Sequence, residues 1–306
     1  MGKIIDLSVD LGFMTLKNPI IPASGTFGYG EEFQAFFPLD ILGAFVLKGI
    51  YKNPRKGNIP PRIHETAAGL LNSIGLAGPG AGALKETIKR LASVTKTPII
   101  VNVCGESDEE YLEVAKIFDA MDEVSILELN ISCPNVKAGG KCPAQDRQHT
   151  YRLVKEIKEN THKPLMVKLS PNAHDVPSVA AAAQEAGAHS ISLVNTFLGM
   201  AVDLKKKAPV FKNIFAGLSG PAIKPLALKL VWEVAKTVSI PVIGMGGITT
   251  GKDVLEFMLV GASAVQIGTI NMVEPSASIR IINELEETMK ELDINNLNEI
   301  KGRLKI

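Results

Sequence analysis

The sequence is poor in the features that mark several protein classes. Cysteine is scarce: Cys104, Cys133 and Cys142 are the only three. An odd number in a long chain does not form a disulfide framework, and the expected compartment is the reducing cytoplasm. Aromatic residues make up 5%, and no run interleaves them with basic residues, so nothing reads as a base-stacking surface for nucleic acid. Neither sign of charge prevails. The formal net charge is +1, which leaves no global field for nucleic acid or an anionic membrane. The one tight basic run, Lys205, Lys206 and Lys207, reads as a solvated loop. No apolar stretch reaches the roughly 18–20 residues that span a bilayer. Met1–Asp10 lacks a basic region followed by an apolar core, so no signal peptide is expected.

What the chain does have is length and regular alternation. Its 306 residues are 46% hydrophobic, ample for one large core. Short runs rich in Val, Ile and Leu occur at Pro19–Ala23, Ala44–Lys48, Pro98–Val103, Val124–Asn130, Pro164–Leu169, Ser190–Asn195, Pro241–Met245 and Ala264–Ile267. They show little polar alternation, the pattern of parallel strands buried on both faces. Helical periodicity fills most of the gaps: Gly82–Ser93, Glu109–Ala120, Asp146–Asn160, Val176–Ala186, Pro221–Lys236 and Gly251–Val260. Val179, Ala182, Ala183 and Ala186, for example, share one helix face.

Eight strands with intervening helices predict an α/β fold closed as a single (β/α)8 TIM barrel, one domain over residues 1–306. A doubly wound open sheet is the alternative, but no Gly-rich fingerprint follows the first strand. Ile4–Leu7 and Phe13–Leu16 read as a short N-terminal hairpin within residues 1–17. Three connections exceed what a barrel needs: Gly49–Gly80, Ile131–Asp146 and Thr196–Gly220. All follow strand C-terminal ends, where barrels place their chemistry, and long loops in a compact domain are usually functional.

Polar residues crowd those same strand ends. Lys48 ends strand two, Asn102 lies in strand three, Asn130 ends strand four, Lys168 lies in strand five, and Asn195-Thr196 ends strand six. An ionisable group there is costly without a task. Two lysines and three asparagines in one ring suit a planar, amide-rich anion. After strand seven comes Gly244-Met245-Gly246-Gly247-Ile248, and after strand eight Gly268-Thr269, with Gly217–Gly220 as a third glycine segment. Loops after strands seven and eight commonly hold a phosphate in barrels, because backbone N–H groups converge there. A phosphate-bearing cofactor or substrate follows, and FMN is the natural candidate.

Cys133 sits just past strand four, in Asn130-Ile131-Ser132-Cys133-Pro134-Asn135-Val136. A thiol at a polar mouth can serve as base, nucleophile or ligand. Cys104 fits inert core packing. Cys133 and Cys142 with only His149 nearby do not make a tetrahedral set, so no metal is expected. His64, His162, His174 and His189 show no ligand spacing and read as surface residues. Cys142 receives no role.

These stretches resemble the class 1 dihydroorotate dehydrogenases, most closely the catalytic subunit of the class 1B, NAD-linked type. The likeness is carried by Asn18–Gly25, Leu71–Leu76, Glu128–Lys137, Val167–Asn172, Gly217–Ala222 and Gly244–Gly247, in the expected order. The resemblance implies that FMN lies at the C-terminal face of the barrel, held by Ser24, Lys48, Gly49, Asn102, Asn130, Lys168, Val194, Gly220, Gly246, Gly247, Gly268 and Thr269. It further implies substrate binding by Lys48, Asn72, Ser73, Ile74, Gly75, Leu76, Asn130, Asn195 and Thr196. Cys133 would take the proton from C5 of dihydroorotate while hydride passes from C6 to flavin N5, and Lys168 would stabilise the anionic reduced flavin. Loop 131–146, with Gly139-Gly140, would act as a lid.

Class 1B enzymes pass electrons to NAD through a subunit carrying FAD and a 2Fe–2S cluster. The resemblance therefore implies such a partner and a heterotetramer of two catalytic and two electron-transfer subunits. This chain has too few cysteines for the cluster and no dinucleotide fingerprint. A class 1A homodimer reducing fumarate is the alternative. A dihydrouridine synthase, a Schiff-base aldolase using Lys48 or Lys168, and a non-enzymatic barrel are further rivals. The first predicts a basic surface, the second substrate trapped on lysine by borohydride, the third a protein that binds no flavin.

Overall fold

The computed structural model describes residues 5–132 and 146–306. Eight parallel strands form its central sheet: β1 (Ile20–Pro22), β2 (Phe45–Val46), β3 (Ile99–Val103), β4 (Val124–Asn130), β5 (Leu165–Lys168), β6 (Ser190–Leu193), β7 (Val242–Met245) and β8 (Ala264–Ile267). They follow one another in space as they do in sequence, with β8 paired back onto β1. The ring closes between β1 and β2, where the Gly43 amide donates to the Ile20 carbonyl at 3.1 Å. Most strand residues are fully buried, as expected when one face meets the barrel interior and the other meets helices.

The surrounding helices are α1 (Ala81–Val94), α2 (Asp108–Asp119), α3 (Arg147–Glu159), α4 (Val176–Glu185), α5 (Lys224–Thr237), α6 (Gly251–Leu259), α7 (Ile270–Val273) and α8 (Ala277–Glu291). Each long helix buries a stripe; in α2 it is Tyr111, Val114, Ala115 and Phe118. Their starts are set by side chains that accept otherwise unpaired backbone N–H groups. Ser107 caps α2, Asp146 caps α3 and Asp175 caps α4. Thr250 and Asp253 form a reciprocal capping box at α6. The first-turn carboxylate of Asp253 also takes the Lys224 ammonium at 2.6 Å, which ties α5 to α6.

The sequence reading differs from this architecture in four places. The N-terminal hairpin pairs Val9–Asp10, not Ile4–Leu7, with Thr15–Leu16. Alternation puts Val9, Leu11 and Leu16 in the core, and that burial fixes the register. Pro221–Ile223 is a 3-10 turn that precedes α5 proper. Helices α7 and α8 have no counterpart in that reading, although Ala277, Ile281, Leu285 and Met289 recur on one face of α8.

The largest difference lies in two of the long connections. Residues 49–80 and 196–220 are not simple loops. Ile63–Thr66, Gly69–Asn72, Phe215–Ser219 and Phe197–Met200 build a separate antiparallel sheet over the barrel mouth. Leu71, Phe211 and Ala216 form its small core. Lys205, Lys206 and Lys207 are exposed at its margin, in a turn whose backbone is held by Asp203. Among the described residues no helix is long and apolar enough to cross a membrane.

Removing the α6 cap tests this account of helix starts. Thr250→Ala is expected to lower unfolding free energy by about 1 kcal/mol, read as an earlier urea midpoint with an unchanged slope.

Candidate active site

Register brings the polar residues together. Asn102 pairs in Cα register with Glu128, and Asn130 with Lys168, which also neighbours Ser192. Residues two apart on a strand share a face, so Asn130 stands directly above Glu128 on the inner wall. Hydrogen bonds then run around the mouth. Asn130 Nδ2 donates to Asn102 Oδ1 at 3.0 Å. Ser132 Oγ donates to Asn130 Oδ1 at 2.6 Å and receives Asn195 Nδ2. Asn195 Oδ1 in turn accepts the Thr196 amide at 2.8 Å. The three expected asparagines therefore form one connected rim. The Tyr111 hydroxyl braces it from outside by donating to the Asn130 carbonyl at 2.8 Å.

Both lysines reach the same mouth. Lys168 is 4% exposed and donates to Ser24 Oγ at 3.2 Å. Lys48 is half-buried, and its amine is held below the ordinary lysine range, first by burial and then by the positive charge of Arg62. Gly49 sits against Asn102: a Cβ there would meet Asn102 Oδ1 at 3.0 Å and Cys104 Sγ at 2.9 Å. Cys104 is thus a buried neighbour of the amides, with Asn130 Nδ2 at 3.6 Å.

The stretch Asn72–Leu76 continues from the last residue of the side-sheet strand Gly69–Asn72. Asn72 Nδ2 donates to the Gly217 carbonyl at 3.3 Å. Asn58 holds the next turn, donating from Nδ2 to the Ser73 carbonyl and hydroxyl and from its backbone to the Ile74 carbonyl. Gly75 and Leu76 both have positive φ, 71° and 60°. For leucine that conformation is strained and persists because neighbours impose it. Asn172 fixes the opposite wall by donating to the Thr196 carbonyl at 3.0 Å and accepting the Leu198 amide at 3.2 Å.

The glycine segments converge as a cradle. Gly246 and Gly247 follow β7 with φ of 126° and 74°. A Cβ on Gly247 would stand 2.8 Å from Lys224 Cβ and 2.9 Å from the Gly220 carbonyl. One on Gly246 would stand 2.8 Å from Ala227 Cβ. Only glycine fits that backbone. Thr269 Oγ1 donates to Ser219 Oγ at 2.8 Å, joining the loop after β8 to the Ser219–Gly220 segment. The Val194 amide donates to the Met245 carbonyl at 3.0 Å, which links the end of β6 to the start of the cradle. A glycine backbone of this kind suits a phosphate, and the lysine and amide ring beside it suits a planar group rich in carbonyls and N–H.

Cys133, Cys142 and most of loop 131–146 lie outside the described residues; Ile131, Ser132 and Asp146 are within them. Sequence reasoning missed Glu128, Ser192 and Gln266, which meet beneath the rim. Their only signal is a polar residue inside an otherwise apolar strand. It also treated His189 as a surface residue. His189 is half-buried, its Nδ1 accepts the Leu165 amide at 3.0 Å, and burial followed by the charge of Lys158 lowers its pKa.

Fold and mouth together define an α/β barrel built to hold a phosphorylated planar cofactor beside a small polar anion. Comparison with known proteins narrows this. The family model for dihydroorotate dehydrogenase matches residues 6–289, and the chain belongs to that family. It is 48% identical over 301 residues to "Dihydroorotate dehydrogenase B (NAD(+)), catalytic subunit" of Geobacter sulfurreducens, covering 98% of this chain and 99% of that one. The protein of the same name from Thermoanaerobacter pseudethanolicus is 47% identical, with 99% and 100% covered. A crystal structure of DHODH from Eimeria tenella in complex with ferulenol superposes with a TM-score of 0.82 over 97% of this chain and 88% of that one. At 22% identity that likeness speaks for the barrel fold.

Gly247→Ala is expected to push the loop off Gly220 and Lys224 and so distort the cradle. The purified variant should carry less than about a tenth of the wild-type flavin, a loss comparable to removing a charge-assisted hydrogen bond, as read from visible absorbance per protein.

Proposed function

We propose that this chain is the catalytic subunit of an NAD-linked dihydroorotate dehydrogenase, oxidising dihydroorotate to orotate in pyrimidine biosynthesis. The carrying observation is near-full-length similarity to subunits of that name, in a chain whose mouth joins an amide rim, two ammonium groups and a glycine cradle.

FMN fits the residues present. The cradle of Gly220, Gly246, Gly247, Gly268 and Thr269 would hold its phosphate. Ser24, Lys48, Gly49, Asn102, Asn130, Lys168 and Val194 would hold its ring system. When bound, it supplies the two-electron acceptor for the hydride leaving C6. Lys168, buried and bonded to a neutral hydroxyl, provides positive charge where a reduced flavin gains negative charge. Lys48 would bind the substrate carboxylate, the turn Asn72–Leu76 would close over it, and Asn130, Asn195 and Thr196 would meet its amide edges.

The proton at C5 falls to Cys133. A thiol has a pKa near 8.5 in isolation, so neighbouring positive charge and exclusion of water would favour its thiolate. General-base assistance of this kind is worth about 10²–10⁴-fold. The hydroxyl of Ser132, the last described residue before Cys133, is bonded to both Asn130 and Asn195. Three cysteines and no dinucleotide fingerprint leave NAD to a separate electron-transfer subunit, which would carry FAD and the 2Fe–2S cluster. A heterotetramer of two copies of each is the assembly we favour, with this chain acting as one cytoplasmic barrel domain.

Cys133→Ala should stay yellow and lose at least about 100-fold in turnover; full activity would overturn the base assignment. Cys133→Ser should retain some activity that rises at high pH. An acceptor screen tests the electron path. The isolated chain's flavin should be reduced by dihydroorotate, with NAD reduced only after the partner is added; fumarate reduction by the chain alone would contradict the NAD-linked reading.

Lys48 provides a pH test. It binds an anion only when protonated, so orotate affinity should fall as pH rises through its pKa. Because burial and Arg62 hold that pKa down, the fall should begin where a surface lysine is still charged. Orotate titrations between about pH 7 and 10 should show this limb in the wild type and not in Lys48→Met.

A further inference from the structure

Glu128 is fully buried in the barrel, one layer below Asn130. Its carboxylate receives three donors: Asn102 Nδ2 at 2.5 Å on one oxygen, and Ser192 Oγ at 2.8 Å and Gln266 Nε2 at 2.6 Å on the other. None of these partners is cationic. Burying a carboxylate with neutral partners alone is expensive, and an apolar side chain of similar size is often no less stable. Its effect on the residues above it accounts for its presence.

Both Glu128 oxygens accept, one of them from Asn102, so Asn102 turns its amide nitrogen toward Glu128. Its Oδ1 then faces Asn130 and takes the Asn130 amide nitrogen, and the Asn130 Oδ1 is left to take Ser132. The two ends of an asparagine amide are nearly equal in shape; only their partners decide which is oxygen. At the far end the Thr196 backbone N–H fixes Asn195. Between the two lies the Ser132 hydroxyl, which can donate in either direction, so the Thr196 anchor does not dictate Asn102 and Asn130. Glu128 does.

We infer that Glu128 is a positioning residue for the reaction: by orienting the Asn102 and Asn130 amides it sets which of their edges face flavin and substrate. This rests on the flavin and dihydroorotate reading above. The contacts also say which substitutions are tolerated. Gln266 Oε1 is buried without a partner, and the Ser192 hydroxyl can rotate. With the Gln266 amide flipped to present that oxygen, Glu128→Gln can turn its new amide nitrogen toward these two and keep its oxygen on Asn102. Glu128→Asp keeps the charge but, one methylene shorter, withdraws from Asn102. Glu128→Met removes the acceptor.

The experiment measures FMN dissociation and orotate-induced flavin absorbance changes in the three variants, with melting curves, alongside KM and kcat for dihydroorotate. Glu128→Gln should stay within about threefold of wild type in both affinities, while Asp and Met weaken them at least roughly tenfold, with KM for dihydroorotate raised in parallel. Wild-type affinities in Asp with loss in Gln would overturn the inference, since charge rather than reach would then matter. Wild-type affinities in Met, or equal losses in Gln and Asp, would overturn it as well. If Met does not fold, the order of Gln and Asp decides. Wild-type turnover tests the dihydroorotate reading separately: a wild type that binds FMN and leaves dihydroorotate untouched sinks that reading, while the variant order in FMN affinity still tests Glu128.

Discussion

Polar groups drawn into a barrel interior must satisfy one another, because water cannot reach them there. That constraint shapes the mouth of this protein. Glu128, Asn102, Asn130, Ser132, Asn195, Ser192 and Gln266 come from strands β3, β4, β6 and β8 and from the ends just beyond them, yet they form one hydrogen-bonded set. Strand register places them in contact. The set couples the barrel wall to the groups that would bind ligand. A network of this kind is worth having only if each member is paired; the lone Gln266 oxygen is the exception, and it leaves the set one degree of freedom.

Much of this was legible in the sequence, for a physical reason. Parallel strands buried on both faces leave continuous Val, Ile and Leu runs, so a Lys or Asn interrupting their C-terminal ends stands out. Lys48, Asn102, Asn130, Lys168 and Asn195 were found that way, and the structure gathers them at one mouth. The glycine segments after β7 and β8 were legible because a backbone at φ of 126° or 74° with close neighbours admits no side chain. The two-strand hairpin was found with its first strand misplaced, since Ile4–Leu7 and Val9–Leu11 are both short apolar runs and only burial chooses between them.

What stayed hidden depends on long-range pairing. The four strands of the side sheet come from segments more than a hundred residues apart in sequence; Asn72 meets Gly217, for example. Each strand alone is short and half-exposed, with a weak pattern. Glu128 was visible as part of a motif, but nothing local shows that its carboxylate points inward at Asn102 and Gln266 rather than outward. Partners 26 and 138 residues away leave no mark on periodicity.

The side sheet carries a consequence for how the protein tolerates change. Gly69–Asn72 leads directly into the turn held by Asn58, and Phe215–Ser219 leads directly into Gly220 and the cradle. Their pairing of Leu71 with Leu218 therefore works as a ruler laid between that turn and the cradle. Most surface loops absorb an extra residue at little cost. Here a slip of one residue would turn Leu71 out of its small core and change the distance between the turn and the cradle at once. The two long connections therefore have little freedom to drift independently.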